Sequence, residues 1–347
     1  MALDLLNLEE VKISSDLSGK IILIYSTNNQ GKSKVASQLY PKQTLFVSTE
    51  KGYNGLGGIK KVDVANWRTF RDVVSSLTPK KKEDADKIKE MYKCIVVDVA
   101  DRLPDMAQAY ICAKNNVENI SDIPWGGGYA QLKTEFNNQL TKLTLSGFCL
   151  ILICHEVTKE VTNEVTGETY MYTQPRSTDT KVGEVLKDIP DFTIYLENRG
   201  ADENGNVILS RGHLTQHKNF FARSRFTQCP PTIDPFTAIG LRETIKTACE
   251  REAELLGVEC VNNEELIEQQ LRELQANQRT REQVIKEIRD VANALIESNN
   301  KEEAFEVVEK YLGEGVNITQ TTDGQIDKLE YILNDLIDMA ESKGISW

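Results

Sequence analysis

The 347-residue chain has no run approaching about eighteen consecutive apolar residues, so a membrane-spanning helix is excluded on length. Its opening segment, MALDLLNLEEVKISSD, is acidic and sets no basic stretch before an apolar one; a soluble, unexported, cytoplasmic protein with no membrane partner is expected. Cysteine occurs seven times, at positions 94, 112, 149, 154, 229, 249 and 260, but never with C-x-x-C spacing. An odd number scattered over strands and helices makes no disulfide framework, and reduced, buried cysteines are expected. A basic surplus is missing as well. Residues 241–347 carry 12 Lys and Arg against 24 Asp and Glu; taken from the totals of 41 and 53, this leaves 29 of each sign before them. The net charge of −12 thus belongs to the C-terminal third, and charge alone gives no nucleic-acid footprint.

What is present begins at residues 20–33, KIILIYSTNNQGKS. An apolar, β-prone run over residues 21–26 reads as a buried central strand, and a polar loop then leads into a helix from about Lys32. Strand, glycine loop and helix in that order are the setting a phosphate-binding loop requires. The first amides of a helix have no intrahelical partner and carry partial positive charge, so phosphate oxygens can dock there. Residues Ser26, Asn28, Asn29, Gln30, Gly31, Lys32, Ser33 and Lys34 form the expected nucleotide cradle, with Lys32 on the β/γ-phosphates and the Ser33 hydroxyl on Mg²⁺. The pattern G-x-x-x-x-G-K-[ST] wants glycine where Ser26 stands, which removes some freedom to take positive φ; Asn28 and Asn29 tolerate left-handed geometry better than most residues.

Downstream, strands and helices alternate to about residue 240. A second strand over residues 44–50 ends on Glu50, a helix follows over 67–77, and the mixed-charge run PKKKEDADKIKEMYK reads as a solvated loop and helix face. The strand CIVVD ends on Asp98; ligands bind at the carboxyl edge of an open parallel sheet, so Asp98 is placed to serve the metal held by Ser33 and Glu50 to polarise an attacking water. A helix is expected over 103–114, a glycine turn at Trp125-Gly126-Gly127-Gly128, and an amphipathic helix over 130–145. FCLILIC, residues 148–154, is the most apolar strand and ends at His155, placed to sense a γ-phosphate. The Thr-rich segment 158–181 reads as a long hairpin or mobile loop whose Tyr170 and Tyr172 could stack on bases. A short helix near 182–186, a strand over 192–197 and a hairpin through 202–205 precede the segment KNFFARSR.

The ordered set of a G-K-S loop, the TE ending at Glu50, VVD ending at Asp98, GGGYAQLKTEF, ILICHE and LKDIPDFTIYLENRG resembles the bacteriophage AAA-type P-loop family with a RecA-like core. The likeness spans about residues 20–234 and implies an α/β fold: a P-loop NTPase core around a central, mostly parallel sheet. It implies ATP and Mg²⁺ as cofactors, Glu50 as the residue that activates water, and His155 as the link from the γ-phosphate to a DNA-binding loop at 157–181. Basic residues late in such cores reach a neighbouring subunit's nucleotide, which here means Lys218, Arg223 and Arg225. Single-stranded DNA, self-association into a ring or filament, and action in phage recombination, annealing or repair follow as expectations, in the cytoplasm of a bacterial host.

Residues 239–347 read as a separate acidic helical domain, with helices over 236–256, 263–298, 301–312 and 325–343 and an apolar stripe through Leu266, Leu271, Leu274, Val284, Ile288, Val291 and Leu295. It is a candidate surface for a single-strand-binding protein or replication partner. A second function class therefore stands beside the ATPase: a nucleotide-binding loader or adaptor in phage DNA replication whose hydrolysis is slow or absent.

Overall fold

The computed structural model describes residues 12–50, 56–164, 166–179, 182–203, 207–261, 280–313, 315–322 and 325–345. The first half of the core runs β1 (Ile13–Ser14), β2 (Ile21–Ser26), α1 (Lys32–Leu39), β3 (Thr44–Ser48), β4 (Lys60–Asp63), α2 (Trp67–Leu77), α3 (Lys82–Met91), β5 (Cys94–Asp98) and α4 (Leu103–Lys114). The second half runs α5 (Gly127–Thr144), β6 (Cys149–Thr162), β7 (Thr169–Pro175), α6 (Glu184–Asp188), β8 (Phe192–Glu197), β9 (Arg211–His213), β10 (Arg223–Ser224), β11 (Thr232–Ile233), α7 (Ala238–Leu256) and β12 (Cys260–Val261).

The sheet order is β11-β9-β8-β2-β6-β5-β3-β4, and β8, β2, β6, β5, β3 and β4 are all mutually parallel. This is the expected α/β architecture around a central, mostly parallel sheet. β2, β3 and β5 are buried along their full lengths because helices cover both faces of the sheet. Alternation along β2 sends Ile21, Leu23 and Tyr25 to the face packed with Phe70, Phe136 and Leu186, and Ile22 and Ile24 to the face covered by Val35 and Leu39. The solvated reading of residues 79–93 holds, since α3 buries no side chain. All seven cysteines are free; Cys229 and Cys260 are only half-buried.

Two readings needed correction. The core strand β6 does not stop before His155 but runs on to Thr162, where it pairs antiparallel with β7 from Glu156↔Pro175 to Thr162↔Thr169. Two β-branched Val-Thr pairs, at 157–158 and 161–162, past the apolar run let one strand serve both the buried sheet and the exposed ribbon. The helix Ala238–Leu256, expected in the acidic tail, instead packs Leu241, Ile245, Ala248 and Cys249 into the core beside Val35 and Ile194. Its ends are well marked: Thr237 caps the Gly240 amide and Gly257 closes it at φ 69°. The described residues fall into two compact units, 12–261 and 280–345.

The C-terminal unit is helical, with α8 (Arg281–Glu297), α9 (Lys301–Leu312) and α10 (Ile326–Ser342). Val284, Ile288, Val291 and Leu295 on α8 meet Leu329, Leu333 and Leu336 on α10 in a core of their own. The stripe positions Leu266, Leu271 and Leu274 lie outside the described residues. Among the described residues no helix is long and apolar enough to cross a membrane.

Candidate functional site

Because β2 lies between β8 and β6, with β5 and β3 beyond, the turns that follow these parallel strands converge at one edge of the sheet. The loop after β2 turns through left-handed geometry at Asn29 (φ 61°) and Gly31 (φ 85°). Ser26, by contrast, is the last residue of the strand and fully buried, paired with His155 of β6. The missing glycine is therefore not at a position that needs positive φ, and the loop closes without it.

Gly31 starts α1, and neither a side-chain cap nor an acidic residue competes for its first amides. A Cβ at Gly31 would meet nothing within 4 Å, so the approach to the helix head is open. The Gln30 carbonyl and side-chain oxygens accept from Ser210 Oγ at 3.2 and 2.9 Å, tying the loop to the stretch before β9. Asn28, Asn29 and Lys34 are exposed around the turn.

Lys32 is buried at its centre. Its ammonium donates to the Ser26 carbonyl (3.2 Å), Ser26 Oγ (2.9 Å) and the Thr27 carbonyl (2.7 Å), which fixes the charge under the turn. Burial pushes its pKa below the ordinary lysine value, while the nearby Asp98 carboxylate favours the charged form. Ser33 Oγ donates to Asp98 Oδ2 at 2.6 Å. A hydroxyl and a carboxylate meeting at the head of a helix are the oxygen donors that a small hard cation takes when phosphates and water complete its shell. The pocket of donors thus fits a nucleotide phosphate with its cation. The peptide after Asp98 is cis.

Glu50 lies two residues past β3. Ser48 Oγ donates to the Glu50 carbonyl at 2.6 Å, and Thr49 is locked to β5 by its amide on the Asp98 carbonyl and its hydroxyl on Val99. The Glu50 carboxylate sits 3.5 Å from Arg102 Nη1, a half-exposed pair. His155 Nδ1 lies 3.1 Å from Asp101 Oδ2, and the Asp101 side chain is 2% exposed. Hydrogen bonding to a carboxylate requires the proton on Nδ1, so this contact sets the tautomer of the ring.

Arg223 and Arg225 are elsewhere. Arg223 donates to the carbonyls of Asp188 and Pro190; Arg225 donates to those of Asp188 and Ile189 and pairs with Asp191 at 3.4 Å. Asp191 in turn accepts from the Ile21 amide at the start of β2. Both arginines therefore sit at the opposite edge of the sheet, about 20 Å from their own P-loop by strand length. The arginine that the chain does bring to Glu50 is Arg102.

Three residues with no role in the sequence reading join the site: Asp101, Arg102 and Glu156. The Glu156 carboxylate accepts from the Thr27 amide beside Lys32, and burial raises its pKa. Asp101 and Arg102 follow the strand end at Asp98 within one turn of chain, a proximity that the VVD motif already carried.

The AAA domain family matches residues 18–226, which takes in the loop, Glu50, Asp98 and His155. The chain belongs to the AAA domain family. It is a P-loop NTPase of that type, and it is 33% identical over 341 residues to the SPbeta prophage-derived uncharacterized protein YorG of Bacillus subtilis (strain 168), covering 98% of this chain and 99% of that one. A crystal structure of the RadB recombinase overlaps the AAA protein with a TM-score of 0.34 at 15% identity, over 58% of this chain and 83% of that one.

Proposed function

We propose that this AAA protein binds and hydrolyses Mg-ATP and uses the cycle on single-stranded DNA in phage recombination, annealing or repair, assembled as a ring or filament. The observation that carries the reading is the meeting of Lys32, Ser33 and Asp98 at the head of α1. Mg²⁺ would be held by Ser33 and Asp98 and supplies charge neutralisation to the phosphates when bound. The amides at the head of α1 cradle the phosphate oxygens, and Lys32 exchanges its bonds to Ser26 and Thr27 for phosphate oxygens. Glu50 orients water and takes its proton; Asp101 holds the His155 ring so that Nε2 can face the phosphate side. His155 lies on β6, which continues unbroken into the β6–β7 ribbon, and this supports a coupling of the phosphate to DNA bound on that ribbon. On one face of that ribbon Tyr172 pairs with Lys159 and Tyr170 with Val161, and the two tyrosine rings meet edge to face at 6.5 Å. Arg223 or Arg225 acting on a neighbouring subunit's nucleotide would require that the opposite sheet edge of one subunit meet the P-loop edge of the next.

One observation favours the second reading, a loader or adaptor with slow or no turnover whose C-terminal helices bind a protein partner: Arg102 already holds the Glu50 carboxylate. Measuring ATP hydrolysis with and without single-stranded DNA, beside Lys32→Ala and Glu50→Gln, decides between them. DNA-stimulated turnover lost in both variants supports the ATPase; turnover that is absent, or unaltered by DNA and by either change, supports the adaptor.

A further inference from the structure

On the side of β8 away from β2, a cleft of about 490 Å³ opens beside β9, within the range of small-molecule pockets. Its rings gather around Phe220: Tyr195 at 4.7 Å, His213 at 4.8 Å and His217 at 5.0 Å between centroids, the last near parallel at 22°. Tyr195, His213 and Phe220 are half-buried and His217 is exposed, so the cluster is anchored on the sheet and open to solvent at His217. At the polar end His213 Nε2 lies 2.8 Å from Glu197 Oε2, beside the exposed Gln216. Stacking faces next to a carboxylate and an amide are what a flat, heteroatom-edged ring needs. The cleft's lining shares no residue with the phosphate cradle described above.

The cleft is also joined to the ribbon. The Thr173 amide donates to the Asn219 carbonyl (2.8 Å), the Phe221 amide donates to the Thr173 carbonyl (2.9 Å), and Asn219 Nδ2 donates to the Met171 carbonyl (3.2 Å). The turn that presents His217 and Phe220 therefore lies along the edge of β7, and the exposed Lys218 in that turn offers a cation to a phosphate. We infer that this cleft is a stacking site for a nucleobase. The inference deepens the DNA-binding reading and rests on it for a strand as the source of the base; the adenine of bound ATP is the other source.

The test compares a labelled oligodeoxythymidylate with an abasic oligomer of equal length by fluorescence anisotropy at fixed salt, and Mg-ATP with inorganic tripolyphosphate by calorimetry. Wild type, Phe220→Leu and His217→Ala are used; His217 is exposed, so that variant reports even if Phe220→Leu fails to fold. The expected result is tighter binding of the base-bearing oligomer by about fivefold or more, a preference that the variants erase without changing ATP affinity. Weakened ATP binding with unchanged tripolyphosphate binding also supports the pocket and assigns it the ATP base. Variants that match wild type in both arms overturn it, while the DNA reading survives if the oligomers bind. If wild type binds neither oligomer, the DNA reading fails and the ATP arm alone decides the pocket, with unchanged ATP binding overturning it.

Discussion

Ser33 Oγ donates to Asp98 Oδ2 across 2.6 Å, joining the first turn of α1 to the last residue of β5. The two are 65 residues apart, and only the parallel order β2-β6-β5 brings their strand ends to one edge. The contact makes a donor set for a divalent cation out of a serine and an aspartate that have other uses almost anywhere else. Its chemical consequence depends on the neighbours, and each can be removed in turn.

Glu50→Gln keeps the size of the side chain and removes the base. ATP affinity should stay intact while turnover falls by about 10²- to 10⁴-fold. Single-turnover kinetics beside equilibrium binding measures both; equal turnover in the variant would show that Glu50 does not touch the reaction, as its pairing with Arg102 allows.

Asp101→Asn tests the ring that Asp101 orients. A hydrogen bond to a charged partner is worth about 1.5–3 kcal/mol, so DNA-stimulated turnover should drop about tenfold or more with ATP binding unchanged. Equal loss of binding and turnover would mark Asp101 as a structural residue of the buried edge.

Glu156 supplies a pH signature. Its folded pKa is raised by burial, so the protonated form is favoured in the folded state. The corresponding stability is fully present below the ordinary value of 4.5 and is lost as pH rises through the raised one. Glu156→Gln, which stays neutral and can still accept from Thr27, should melt higher than wild type at neutral pH and alike below pH 4.5. Thermal melts across pH check this; a constant difference at every pH contradicts it.

Gly128 should resist substitution for packing alone. A Cβ there would collide with the Ile120 carbonyl and lie 2.8 Å from Ile120 Cγ1 and 2.9 Å from Ile123 Cδ1. Gly128→Ala should cost about 1–3 kcal/mol in chemical denaturation, with ATP affinity of the folded fraction unchanged.

The parts of the fold that could be read in advance are those where burial is continuous. The boundaries Lys32–Leu39, Trp67–Leu77, Cys94–Asp98 and Phe192–Glu197 follow from apolar runs or helical spacing and are seen as expected. The hairpin over 158–181 is seen as the β6–β7 ribbon, but its unbroken continuity with the core strand through His155 was not legible because the apolar run ends at Cys154. α7 was misassigned because acidity was read over the whole C-terminal third, whereas Leu241, Ile245 and Ala248 bury against the sheet regardless of the charges around them. Within the site, the nearness of Asp98 and Glu50 to the head of α1 was legible because a parallel sheet gathers its carboxyl ends, whereas His155 lies within β6 rather than at its end. Linear order does not say which edge of the sheet Arg223 and Arg225 reach, and their action on a neighbouring subunit's nucleotide remains part of the proposal.

Every proposed step requires a magnesium-bound triphosphate docked at the head of α1. Isothermal titration of Mg-ATP into the full chain measures that docking. Saturable heat that chelation of magnesium weakens and Lys32→Ala abolishes is the predicted result; no heat, or the same heat from Lys32→Ala with magnesium removed, would contradict it.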